Sequence, residues 1–143
     1  MRAQYATRAY SNLDASGRTE DRSPAELVVL LFEKACSCLK TAALIPINDT
    51  DALDLTDRLA AIEQFHTATS KAMQIVVALR EMLDMESGGG TSTQLAETYT
   101  IIASNIWSAS KSQDTVSLTK IHSALCELRD AWRTLAAEQN TKQ

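Results

Sequence analysis

Leu118, Ile121, Leu125, Leu128, Trp132 and Leu135 follow one another at spacings of three and four residues without a gap. At the helical angular step these side chains line one stripe, whereas on a strand they would scatter over both faces. The segment is therefore expected to form a helix lying against other helices. Leu95, Tyr99, Ile102 and Ile106 repeat the spacing, as do Leu55, Leu59, Ile62, Phe65, Thr69, Met73, Val76, Leu79 and Leu83. A fourth segment opens at Ser23-Pro24-Ala25-Glu26, an N-cap serine with proline at the first helical position and glutamate three residues after the cap. It continues through Leu27, Leu30, Leu31, Ala35, Cys38, Leu39 and Ala42 until Pro46 stops it.

The chain has only four Gly and two Pro, and alanine supplies 21 of its 64 apolar residues, which also favours helices over turn-rich sheets. The expected fold is all-α: an antiparallel up-and-down four-helix bundle with helices at about 24–45, 51–86, 91–111 and 114–139. A helix over the whole of 51–86 would reach about 54 Å, longer than its neighbours, so a break or frayed first turn is expected. Ser87-Gly88-Gly89-Gly90 ends this second helix, and Thr91 to Thr93 are the candidate caps of the third. Residues 1–22 read as a flexible N-terminal arm with room for a short extra helix, 23–140 as the bundle and 141–143 as a tail. At 143 residues the chain is sized for one domain.

Fourteen Lys and Arg against eighteen Asp and Glu give a net charge of −4, leaving no basic surplus for nucleic acid or an anionic membrane surface. No 18-residue apolar run exists and the N-terminus has no apolar signal core, so a cytoplasmic protein without membrane insertion is expected. Cys36, Cys38 and Cys126 are too few for a disulfide scaffold and read as small buried hydrophobes.

No enzyme is expected. Glu63-x-x-His66 matches half of a di-iron carboxylate site, but the only other histidine, His122, follows Thr119 at the corresponding spacing. Glu33 and Glu97 do not complete the set, and Glu63 reads as solvated with His66 half-buried. The glycine triplet lacks the Gly-Lys-Ser/Thr ending of a phosphate loop, and no hydrolase motif is present. No metal and no cofactor are expected.

The apolar residues are unevenly placed. Leu27 to Phe32 are six in a row and encircle a helix; Ile75 to Leu79 and Ile101-Ile102 with Ile106-Trp107 widen two others. A single core does not bury every side of such helices. Either the arm with Tyr5 and Tyr10 covers these faces, or they form a groove for an apolar partner, or they make a homodimer interface.

Thr19, Ser23-Pro24-Ala25-Glu26-Leu27 and Leu31-Phe32-Glu33-Lys34-Ala35 resemble the opening of the flagellar secretion chaperone FliS family, Ser/Thr-Pro-x-Glu-Leu followed by Leu-Tyr-Glu-Gly-Ala. Leu83-Asp84-Met85-Glu86, the glycine triplet, Leu95 with Tyr99, Ala109, Asp114, and Leu128-Arg129-Asp130-Ala131-Trp132 follow in the family's order. The resemblance spans about residues 5 to 135. Phe32 replaces the usual tyrosine, Lys34 a glycine and Thr98 a leucine, Ser104-Asn105 stands where arginines are frequent, and the arm is a few residues longer.

The resemblance implies a cytoplasmic export chaperone, with no catalytic role, that binds the C-terminal segment of flagellin, prevents premature polymerisation and delivers it to the flagellar type III export machinery. By position Tyr10 matches the family's N-terminal tyrosine, on an arm that folds over the groove. The walls expected from the first three helices are Leu27, Leu31, Phe32, Ile75, Leu79, Leu95, Tyr99, Ile102 and Ile106. Each also fits the bundle core, Leu79 and Leu95 especially, and Trp132 reads as an anchor of the last helix outside the site. The competing reading is a helical-bundle adaptor or regulator without a flagellin client, a weak homodimer through the same faces.

Overall fold

The computed structural model describes residues 3–11, 23–49, 51 and 53–141, with side chains from 6 to 138 among them. Within these residues there are five helices and no strand: α1 (Ala3–Arg8), α2 (Pro24–Leu44), α3 (Leu55–Glu81), α4 (Gly89–Ser112) and α5 (Thr115–Thr141). The four long helices make the expected up-and-down bundle. α2 packs most closely on α5 and next on α3, α3 packs on α4, and α4 touches α5 least. Pairs such as Glu33 with Arg133, and His66 and Arg80 with Ser110 and Thr100, mark the antiparallel courses of α2/α5 and α3/α4. The short extra helix at the N-terminus is α1, which lies against α4.

Local sequence explains most helix ends. Ser23 Oγ accepts from the Glu26 main-chain N–H at 3.2 Å and Pro24 occupies the first position, as the capping pattern requires. α3 starts at Leu55 rather than near 51, because Asp54 is the aspartate that caps, its Oδ1 accepting from Asp57 N–H at 2.8 Å. It also ends at Glu81, short of 86: the Leu83 N–H turns back to the Arg80 oxygen, and Asp84 N–H leaves the helix for Ala9. The glycines do not terminate α3. They open α4, with Gly88 at the cap, Gly89 at φ +53° and no side chain capping the helix. α4 stops at Gln113 in the left-handed region (φ 54°), and Asp114 starts the next helix by accepting from Ser117 N–H and Oγ. α5 runs on to Thr141, so the tail begins later than 141, and residues 142–143 lie outside the described residues.

The core is continuous through the four long helices. Phe32, Leu39, Phe65, Val76, Leu79, Tyr99, Ile106, Leu118, Leu125 and Trp132 are all within two per cent of complete burial. The uneven apolar stretches behave as their crowding predicts. In 27–32 the core takes Val28, Val29 and Phe32, leaving Leu27 and Leu31 half-buried and Leu30 exposed; on α4 it takes Ile102 and Ile106, leaving Ile101 and Trp107 more than half exposed. Cys36, Cys38 and Cys126 are free thiols; Cys36 and Cys38 are buried, Cys126 half-buried. Burial foremost, then the neighbouring Cys126, pushes the Cys36 thiol up to about 12.

Candidate functional site

Over residues 3–11 the N-terminal arm carries the short extra helix that had room there and packs on the bundle; residues 12–22 lie outside the described residues. Ala6, Ala9 and Tyr10 are as buried as any core residue, although Ala6 belongs to a six-residue helix too short to persist alone and Ala9 and Tyr10 to the turn that follows it. What holds them is the seat they occupy, at the end of the bundle where α3 turns into α4.

Small residues let two backbones meet there. The Asp84 N–H donates to the Ala9 oxygen at 2.6 Å. A methyl added at Gly88 would stand 2.9 Å from the Ala9 Cα and 1.7 Å from Ser92 Oγ, so this approach demands glycine at 88. Asp84 organises the turn. Its carboxylate accepts from Ser87 N–H at 3.0 Å and from the Ser11 hydroxyl at 2.9 Å, while its main-chain oxygen accepts from Gly88 N–H and the buried Ser92 hydroxyl. These donors, the Ser87 amide first and Ser11 next, hold the Asp84 carboxyl below its ordinary range.

Tyr10 reaches deeper. Its hydroxyl donates to the Leu79 main-chain oxygen at 2.6 Å and stands 3.4 Å from the Tyr99 hydroxyl. Leu79 O lies in the last turn of α3, where the helical ladder has no N–H left for it, since Leu83 N–H bonds Arg80 instead. The Tyr10 ring meets the Trp132 indole edge to face at 5.4 Å, and Tyr99 leans on Phe32 at 6.0 Å. Each such pair contributes about 0.5–1.5 kcal/mol beyond its buried area. Burial raises the Tyr10 phenol far above its usual value and takes Tyr99 up to about 12, despite hydrogen bonding from Tyr10 and from Trp132 that favours the phenolate of Tyr99. Both phenols are therefore neutral donors at any physiological pH. The Trp132 Nε1–H faces the Tyr99 oxygen and is shielded from solvent.

Of the ten residues expected to line a groove, the structure brings Tyr10, Leu79 and Tyr99 into direct contact, and Phe32 joins them through Tyr99. Leu95, Ile102 and Ile106 are buried core residues of α4; Leu27, Leu31 and Ile75 are half-buried on α2 and α3. A stripe that faces a guest has the same period as one that faces its own bundle, and Ile106 also lines a concavity of about 260 Å³ with Met73 and Trp107. Trp132, set aside as an anchor, is the residue on which Tyr10 rests. Its place on the α5 stripe was visible; its contact with a segment 122 residues earlier carries no local signal.

His66 is exposed rather than half-buried, with Nδ1 3.1 Å from Ser110 Oγ, and Glu63 is exposed beside it. Among the described residues no group of three His, Cys, Asp or Glu is placed to hold a metal, and no helix is long and apolar enough to cross a membrane. Glu33 pairs with Arg133 at 2.9 Å across α2 and α5. A second concavity, about 380 Å³ where α4 and α5 diverge, is lined mainly by polar residues, Asn105, Ser108, Ser112 and Lys120 among them.

The chain is similar to the flagellar secretion chaperone FliS of Salmonella typhimurium, 26% identical over 137 residues that cover 95% of this chain and 93% of the relative. It is equally similar, at 26% over 132 residues and 92% and 96% of the two lengths, to the flagellar secretion chaperone FliSB of Pseudomonas aeruginosa. The family pattern described as flagellar protein FliS matches residues 6–139, taking in the seated N-terminal segment, the turn beneath it and all four bundle helices, and the chain belongs to that family.

Proposed function

We propose that this protein is a flagellar export chaperone that holds the C-terminal segment of flagellin in the cytoplasm, keeps it from polymerising and hands it to the flagellar export machinery. The observation that carries the reading is the seat under Tyr10. It is an apolar site with a few fixed polar groups, filled by a short helix at the end of the chain that has little helical stability of its own.

A flagellin terminus is an amphipathic segment intended for a filament core, and when unassembled it exposes an apolar stripe. The seat offers such a segment what it offers Ala9 and Tyr10: small-residue contact at the Asp84 turn, aromatic faces at Tyr99 and Trp132, and a Leu79 carbonyl that the helical ladder leaves over. The guest replaces Ala6, Ala9 and Tyr10, and its ordering cost is offset by the apolar area it covers. Leu27 and Leu31, half-buried on α2, extend the apolar contact beyond the seat. The role is binding, and no step in it requires a cofactor.

The test is a mixture of the purified chain with flagellin. Elution as a 1:1 complex, lost on deletion of the flagellin C-terminus, is the expected result; separate species at micromolar concentration reject the reading.

A further inference from the structure

Away from the seat, the seam between α2 and α5 carries two thiols on one rung. The helices run antiparallel, and three pairings mark their register: Glu33 with Arg133 at 2.9 Å, Cys36 with Cys126, and Lys40 facing His122. Positions 33, 36 and 40 recur at helical spacing on α2, as do 133, 129, 126 and 122 on α5, so the cysteines lie on the contact line itself. A disulfide joins two helices only where their backbones run close, and α2 packs on α5 more closely than on any other helix. The seam also holds the groups that activate a thiol. Cys126 Sγ is 3.5 Å from Nε2 of His122, one turn earlier on α5. The Arg129 guanidinium bears on both sulfurs, with its partner Asp130 beside it.

The two thiols are unequal. Cys36 is buried and held protonated, whereas Cys126 is half-buried and open to a small oxidant. Burial foremost, then Lys40 and Arg129, lowers His122, so its imidazole is neutral; with the ring hydrogen on Nδ1, Nε2 accepts the Cys126 proton. We propose that Cys36 and Cys126 are a reversible redox pair, closed to a disulfide by hydrogen peroxide, with Cys126 reacting first and Cys36 resolving. His122 takes the proton from Cys126, and the thiolate sulfur attacks a peroxide oxygen. An S–O bond forms, the O–O bond breaks, and the departing hydroxide recovers the proton from His122 as water. The Cys36 sulfur then attacks the sulfenic sulfur: the S–S bond forms, the S–O bond breaks, and the hydroxyl leaves as water with the Cys36 proton. Two thiols lose two electrons and one peroxide becomes two waters; a dithiol reductant reverses the change. The bond staples together the helices that carry Phe32 and Trp132. Cys38, about 200° around α2 from Cys36, takes no part.

The experiment treats the full reduced chain, at low micromolar concentration, with a few equivalents of hydrogen peroxide. Thiols counted in denaturant after quenching are expected to fall from three to one, with an intact mass lower by two hydrogens. Peptide mapping is expected to join the segment of Cys36 to that of Cys126, and dithiothreitol to restore all three thiols. Cys38→Ser is expected to close the same bond, and Cys36→Ser to stop at a sulfenic acid on Cys126 that dimedone captures. His122→Gln is expected to slow closure by about tenfold or more; an unchanged rate overturns the proton transfer. A bond to Cys38, disulfide-linked dimers as the main product, or three thiols surviving peroxide that oxidises the urea-unfolded chain overturns the pair. The wild-type mapping decides this even if a variant fails to fold.

Discussion

The Tyr10 hydroxyl donates a 2.6 Å hydrogen bond to the main-chain oxygen of Leu79, 69 residues away in sequence, and so completes the last turn of α3 with a side chain from the other end of the domain. Tyr10→Phe keeps the ring on Trp132 but leaves that carbonyl buried without a donor, at a cost of about 1–2 kcal/mol. The loss falls on docking of the N-terminal segment rather than on the bundle. Hydrogen exchange at the Asp84 amide, which bonds Ala9, is expected to accelerate roughly 5- to 30-fold while amides in the middle of α5 are unchanged. Uniform acceleration across all helices would contradict this.

Gly88 and Gly90 sit two residues apart and are expected to respond oppositely to alanine. At Gly88 the new methyl meets the Ala9 backbone and the Ser92 hydroxyl, which is itself fixed on the Asp84 oxygen, so Gly88→Ala is expected to cost about 1–3 kcal/mol in urea denaturation. At Gly90 nothing lies within 4 Å, and the residue is in the first turn of α4. Gly90→Ala is expected to stabilise by up to about 1 kcal/mol through reduced freedom of the unfolded chain. Equal effects at the two positions would remove the close approach at Ala9 as the explanation.

Gln113 adopts φ 54° at the end of α4, where a side chain is strained and glycine is not. The Asn48 amide donates to its main-chain oxygen at 3.0 Å, a bond that any residue type preserves. Gln113→Gly is therefore expected to raise stability by about 0.5–1 kcal/mol, seen as a higher urea midpoint at unchanged slope.

Acid is expected to loosen the N-terminal segment before it opens the bundle. The folded-state pKa of Asp84 is depressed below its ordinary 3.8, chiefly by the Ser87 amide and then by the Ser11 hydroxyl. A depressed carboxylate contributes its stability above the unfolded value and loses it as pH falls through the folded one. Docking should hold from neutrality down to about pH 4 and weaken below that, while Asp84→Asn should flatten the dependence. Near-UV circular dichroism of the Tyr10–Trp132 pair reads this directly, and a transition centred at pH 5 or above would assign it to another group.

Much of the bundle was legible in the residues. Ser23, Pro24 and Glu26 specify the start of α2 through local hydrogen bonding alone, and the stripe from Leu118 to Leu135 specifies the face of α5. Where local signals compete, reading falters: Asp51 and Asp54 are both plausible caps, and only the docked turn decides between them. The glycine triplet was read as a terminator because glycine tolerates left-handed geometry; its use at Gly88 is instead close approach to Ala9, which no neighbouring residue announces. The contacts around Tyr10 were less legible than the helices. Tyr10 was singled out only through the family resemblance, and the contacts of Tyr10 with Leu79, Tyr99 and Trp132 span separations of 69 to 122 residues, beyond any helical period.

Because Tyr10 is covalently joined to the bundle it seats on, its docking is an intramolecular event. Its occupancy of the seat is therefore independent of the amount of protein in the cell. Dilution or overproduction of the chain thus leaves the hurdle for a newcomer unchanged.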